Sequence, residues 1–258
     1  MNSRAAAIAV VLASAPCGIT LAAEGVVTVG AGAEYSSGKY GGTEKTQILY
    51  LPVTAKYETG PWAFKAVVPY IRVTGPGNVV GAGADRVTLP GGAAARRTES
   101  GLGDVVASVF YNLFDERQTS FGVDVGAKVK LGTADEAKGL GTGETDYAVQ
   151  ADFYVPLGAL TAFGTLGYRW YGDPPGVDLK DVFYGAIGAS YRVSGETSVG
   201  LAYDFRPRIT TAGARISEAT AFASQRLSRE WRAQVYSVVG FSDGSPDFGL
   251  GAALNYRF

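Results

Sequence analysis

The chain has 258 residues, with 23 Lys plus Arg against 24 Asp plus Glu, 36 Gly, one Cys and no His. A formal charge of −1 gives nucleic acid no basic surface to recognise, and the lack of His removes Ser–His and His–metal hydrolase arrangements. Beyond the N-terminus nothing approaches the roughly 20 consecutive apolar residues of a membrane helix, while 47% hydrophobic content rich in Gly and Tyr favours an all-β chain.

In chain order, residues 1–23 read as a cleaved signal peptide. Arg4 supplies the positive start, 5–21 is small and apolar, and Thr20-Leu21-Ala22 or Leu21-Ala22-Ala23 offers a cleavage site. Cys17 follows Pro16, unlike a lipobox, and leaves with that segment. The remaining domain, 24–258, then carries no thiol and a formal charge of −2. From residue 26 the sequence alternates apolar and polar at period two, the repeat of a two-faced strand. In the first such stretch, 26–35, Val27, Val29 and Tyr35 alternate with Thr28, Gly30 and Glu34. Further strands are expected up to residue 58 and over 62–73, 102–113, 119–131, 144–155, 160–171, 182–193, 197–206, 217–227 and 231–240. The last stretch, 246–258, places Phe248, Leu250, Ala252, Leu254, Tyr256 and Phe258 on one face.

These are twelve strands, an even number, and the connections alternate in length. Short turns follow the even strands and longer loops follow the odd ones. A transmembrane antiparallel up-and-down β-barrel has this parity, with both termini and the short turns on the periplasmic side; a soluble sandwich has no reason for it. Aromatic residues gather near strand ends, among them Tyr57, Trp62, Tyr111, Trp170, Trp231 and Tyr256, as in interfacial belts. The chain is therefore expected in the bacterial outer membrane, in contact with its lipid. The final strand ending at Phe258 resembles the signal read by the barrel-assembly machinery.

Opposite the apolar face, the strands carry Glu34, Lys56, Lys65, Asp104, Asp124, Lys128, Lys130, Glu144, Asp146, Asp152, Arg169, Arg192, Asp204, Arg206, Glu218, Arg226, Arg232 and Arg257, which would line the lumen. Both signs occur, so cross-strand pairing that holds the interior together competes with a selective pore lining. Lys128 and Lys130 would form a charge ladder with Glu144 and Asp146 if their registers match. The 75–100 stretch, with Arg86, Arg96 and Arg97, is long enough to fold inward and act as a gate, or to remain outside. Ser242 to Asp247 is read as a turn, since its spacing is not that of a calcium loop; no metal or other cofactor is expected.

Several short signatures carry a resemblance. They are Gly101-Leu102-Gly103-Asp104; the run from Gly126 to Thr133 (GAKVKLGT); Gly139-Leu140-Gly141-Thr142-Gly143-Glu144-Thr145-Asp146-Tyr147; Gly167-Tyr168-Arg169; and the run from Gly240 to Gly249 (GFSDGSPDFG). Over 101–258 the chain resembles the outer-membrane transporter family named for the MetA pathway of phenol degradation. That resemblance implies a barrel and uptake of hydrophobic or aromatic compounds, and brings no catalytic motif. The expectation is a monomeric, non-enzymatic barrel passing small solutes passively. The alternative is a closed binding barrel with a charge-packed lumen.

Overall fold

The structure is a computed structural model that describes residues 25–88, 95–116, 119–211 and 213–258; the expected signal peptide lies outside these. Among the described residues the strands are β1 Val26–Gly38, β2 Thr46–Thr59, β3 Trp62–Gly75, β4 Val79–Val80, β5 Val87–Thr88, β6 Arg97–Leu102, β7 Val105–Phe114, β8 Gly122–Leu131, β9 Asp146–Leu157, β10 Leu160–Trp170, β11 Val182–Arg192, β12 Thr197–Arg206, β13 Ile216–Arg226, β14 Trp231–Gly240 and β15 Phe248–Arg257. The short β4 and β5 pair only with each other. β6 and β7 both pair with β3 and form one interrupted strand. The remaining strands join in sequence order, β15 pairs with β1, and twelve strands close into an antiparallel barrel.

The first and last strands meet in register from Thr28 opposite Arg257 to Ser37 opposite Phe248, and the amide of Phe258 donates to the carbonyl of Val27 at 2.9 Å. Closure leaves no free sheet edge, so every strand can satisfy its backbone inside a bilayer. The apolar faces point outward. Leu201, near the middle of β12, is 64% exposed and Ile187 on β11 is 68% exposed, the reverse of a water-soluble core. Aromatic rings form two outer belts. On the short-turn side Trp62 packs on Tyr111 at 4.8 Å and Tyr256 on both Trp231 and Phe258 at 4.8 Å. On the long-loop side Tyr168 packs on Phe183 at 4.7 Å and on Trp170 at 5.0 Å.

Two local departures from the expected strands have physical causes. The fourth barrel strand begins at Arg97 rather than at residue 102, and it breaks at Gly103 and Asp104. There the Gly103 amide turns to the Pro69 carbonyl at 2.9 Å, and Asp104 accepts from the Ala134 amide at 3.0 Å. A side chain at Gly103 would overlap Ile71, which gives the Gly-Leu-Gly-Asp signature a steric reason. The second departure is on β3, whose inner face near the long loops carries buried Ile71 and Val73 rather than polar groups. These side chains belong to an apolar cluster with Tyr40, Ile48, Val79, Ala82 and Leu140. The cluster exists because the β3–β6 loop folds back into the barrel.

Candidate functional site in the barrel lumen

Among the aromatic rings on the inner face, five each lie over a glycine directly opposite on the adjacent strand. Phe110 faces Gly126, Phe163 faces Gly188, Tyr184 faces Gly167, Phe222 faces Gly200 and Tyr236 faces Gly251. At all five glycines a Cβ would overlap the ring. The missing side chains let the rings lie against the wall instead of filling the interior, and barrel volume is kept.

Residues of the β3–β6 loop cross the long-loop end of this interior. Asp85 accepts from Arg169 Nη1 on β10 at 2.7 Å, and Arg86 pairs with Glu218 on β13. Arg206 on β12 donates to the carbonyls of Ala84 and Arg86, at 3.3 and 2.9 Å, and to the Tyr171 hydroxyl at 2.9 Å. Apolar anchors accompany the charges: Val87 is buried with Tyr171, Leu179, Val182 and Ile209. Burial pushes the Asp85 carboxyl upward, but the Arg169 guanidinium outweighs it and holds the group below its ordinary value. Beneath the loop lies a cavity of about 110 Å³ reached by Lys128, Lys130, Tyr184 and Asp204.

One wall of this layer is a charge network. Lys130 Nζ donates to Asp104 Oδ2 at 2.9 Å, to Thr142 Oγ1 at 3.0 Å and to the Glu144 carbonyl at 3.0 Å, and lies 3.4 Å from Asp146. Asp146 also accepts from Arg169 Nη2 at 2.7 Å and from the Gly172 amide at 3.1 Å. Only half of the expected ladder therefore forms. Lys130 stands opposite Asp146, but Lys128 stands opposite Ala148, and Glu144 lies beyond the end of β9.

The other lumen candidates fall into two groups. Asp124 accepts from Asn112 at 2.6 Å, Asp152 from Gln150 and Thr165, and Glu34 from the Tyr236 hydroxyl at 2.8 Å. Near the short turns Arg226 stands opposite Arg232 and Arg257 opposite Thr28, while Arg192 is exposed and donates to the Gly158 carbonyl at 2.8 Å. Of the three arginines considered for a gate, only Arg86 enters the lumen. Arg96 donates outward to the Lys45 carbonyl at 2.7 Å and to Gln47 at 3.1 Å, and Arg97 is exposed at the start of β6. Asp85, Tyr171 and the backbone of Ala84 were not legible as site residues. Their one sequence signal is the scatter of Val79, Val80, Ala82 and Val87 through an otherwise Gly-rich loop.

Solved structures of similar shape are outer-membrane barrels. The COG4313 outer membrane channel from Pseudomonas putida F1 superposes with a TM-score of 0.68 at 15% identity, over 93% of this chain and 97% of that one. The KdgM porin gives 0.55 at 10% identity, covering 90% and 99% of the two chains, and the NanC porin 0.55 at 11%, covering 88% and 98%. No curated protein matches the sequence. At these identities the likeness is one of fold. The family model described as "Putative MetA-pathway of phenol degradation" matches residues 22–258, including the N-terminal third where the sequence signatures were sparse; the chain belongs to that family.

Proposed function

We propose that this protein is an outer-membrane channel that passes small solutes passively and that the inserted β3–β6 loop sets its opening. The observation that carries the reading is the interior: five of its aromatic rings are flattened over glycines and its long-loop end is crossed by residues held through ion pairs. A barrel built only as a scaffold gains nothing from keeping that volume clear, since packed side chains would add dispersion energy. Residues 1–23 would direct export, and the strand ending at Phe258 would present its face to the assembly machinery during insertion. The barrel works as a monomer, without cofactor or catalytic group, and the neighbouring porin folds favour transport over enzymatic chemistry.

The test is single-channel recording of the refolded 24–258 chain in a planar bilayer, against a variant in which 79–88 is replaced by a short Gly/Ser linker. Ohmic conductance in the native chain that rises in the variant supports the channel and its loop. Conductance in the variant alone makes the loop a closed gate. Silence from both overturns the channel and leaves the closed binding barrel.

A further inference from the structure

The cavity beneath the β3–β6 loop is lined by nine charged side chains, and seven of them already have partners. Asp85 and Asp146 share Arg169, Lys130 lies against Asp146, and Arg86 holds Glu218. Arg206 is spent on the carbonyls of Ala84 and Arg86 and on the Tyr171 hydroxyl. The two that remain are Lys128 and Asp204, one of each sign. Neither makes a hydrogen bond or an ion pair among the described residues, and Lys128 Nζ has only the Phe110 ring, 5.9 Å away.

The strands set these two charges level but apart. Both β8 and β12 run from a short turn toward the long loops; Lys128 stands three residues before the end of β8 at Leu131, and Asp204 two before the end of β12 at Arg206. The step from β8 through β9, β10 and β11 to β12 is four strands around the ring of twelve, so the pair lines one cavity without touching. The charges nearest them are committed elsewhere. Arg86, beside Asp204, pairs with Glu218; Asp85 and Asp152, near Lys128, are held by Arg169 and by Gln150 with Thr165. An unpaired ammonium and an unpaired carboxylate in a half-buried site each carry a desolvation cost. A guest with the opposite charge at each end relieves both costs at once. The cavity, about 110 Å³, has room for about seven to ten waters, which is the size of a short amino acid.

We infer that this cavity is a binding site for short amino acids whose ammonium and carboxylate lie at opposite ends of the chain, with Lys128 taking the carboxylate and Asp204 the ammonium. The inference rests on the channel reading for its biological meaning, but the site itself is testable without conduction. A simple acid leaves Asp204 unpaired and a simple amine leaves Lys128 unpaired, so each binds less well than a molecule carrying both groups.

The experiment measures binding of 4-aminobutyrate, butyrate and butylammonium to the refolded 24–258 barrel in detergent by calorimetry, and block of ion current by the same three in bilayers. The three share one carbon chain and differ in charge. 4-Aminobutyrate is expected to bind about tenfold more tightly than either singly charged analogue. Lys128→Gln should bring it down to the level of butylammonium, and Asp204→Asn to the level of butyrate. Lys128→Glu with Asp204→Lys reverses both charges and should restore binding of 4-aminobutyrate, which then lies the other way round. Heat-modifiable electrophoretic mobility confirms that each variant is folded. Equal binding of 4-aminobutyrate and butyrate, or binding untouched by Lys128→Gln or by Asp204→Asn, overturns the site. Binding lost in every variant, the charge reversal included, is what a purely structural role would give and overturns it as well. If the barrel conducts but shows no preference for 4-aminobutyrate, the site fails and the channel stands. If it binds 4-aminobutyrate in this pattern but never conducts, the site stands and the channel fails.

Discussion

Glu218→Gln isolates what keeps the β3–β6 loop inside the barrel. Arg86 and Glu218 are each only 6% exposed, so their pair is shielded from solvent on both sides. Removing one partner of a buried pair leaves an uncompensated charge and costs about 3–5 kcal/mol. The barrel wall is held by its backbone ladder and does not need this pair, so the cost is relieved if Arg86 leaves the lumen with its loop. At 1.4 kcal/mol per tenfold, the expelled state should gain about a hundredfold to a few thousandfold in population. Bilayer recordings should then show long open dwells that are rare in the native chain. The control is Arg86→Met with Glu218→Leu, which removes both charges, and a buried pair replaced this way is roughly neutral. That double variant should gate like the native protein. Unchanged dwell times in Glu218→Gln would refute the argument, because the loop would then be held by something other than this pair.

Other outcomes follow from the same geometry. Acid should loosen the loop: Asp85 is held below its ordinary value of 3.8, so its contribution is full above that value and fades as the pH falls through its lower folded value. Conductance should be flat from about pH 5 to 8 and rise only in strong acid; a rise near neutrality would point to another group. Gly251→Ala places a methyl where the Tyr236 ring lies, so the ring must swing inward and lose its bond to Glu34. A loss of about 1–3 kcal/mol in urea unfolding from vesicles is expected, together with lower conductance; unchanged conductance would show that the ring was not limiting the opening. Leu201→Arg puts a charge on the outer face near mid-strand and should cost about 2–4 kcal/mol of insertion. The same change at inward-facing Thr220 on β13 should cost far less in the same vesicle-folding assay, and equal costs would contradict the assigned faces.

The sequence by itself determined the barrel. Period-two alternation, the even strand number and the long-short rhythm of connections are local properties, written within a dozen residues at a time, and the observed ends of β12 and β14 coincide with those expected. The faces were legible for the same reason: once Leu201 points to lipid, Ala202 points in. Tertiary structure alone decided what fills the lumen. Asp85 meets Arg169 across 84 residues and Arg206 meets the Arg86 carbonyl across 120, and no local pattern encodes such contacts. Nothing in the loop's composition separates Arg86, which enters, from Arg96, which binds Gln47 outside. Register settled the rest: it set Lys130 against Asp146 and placed five glycines under five rings. A shift of one residue would have turned each of those side chains to the other face, and only closure of the barrel, with β15 fixed against β1, selects one alignment from the several that alternation allows.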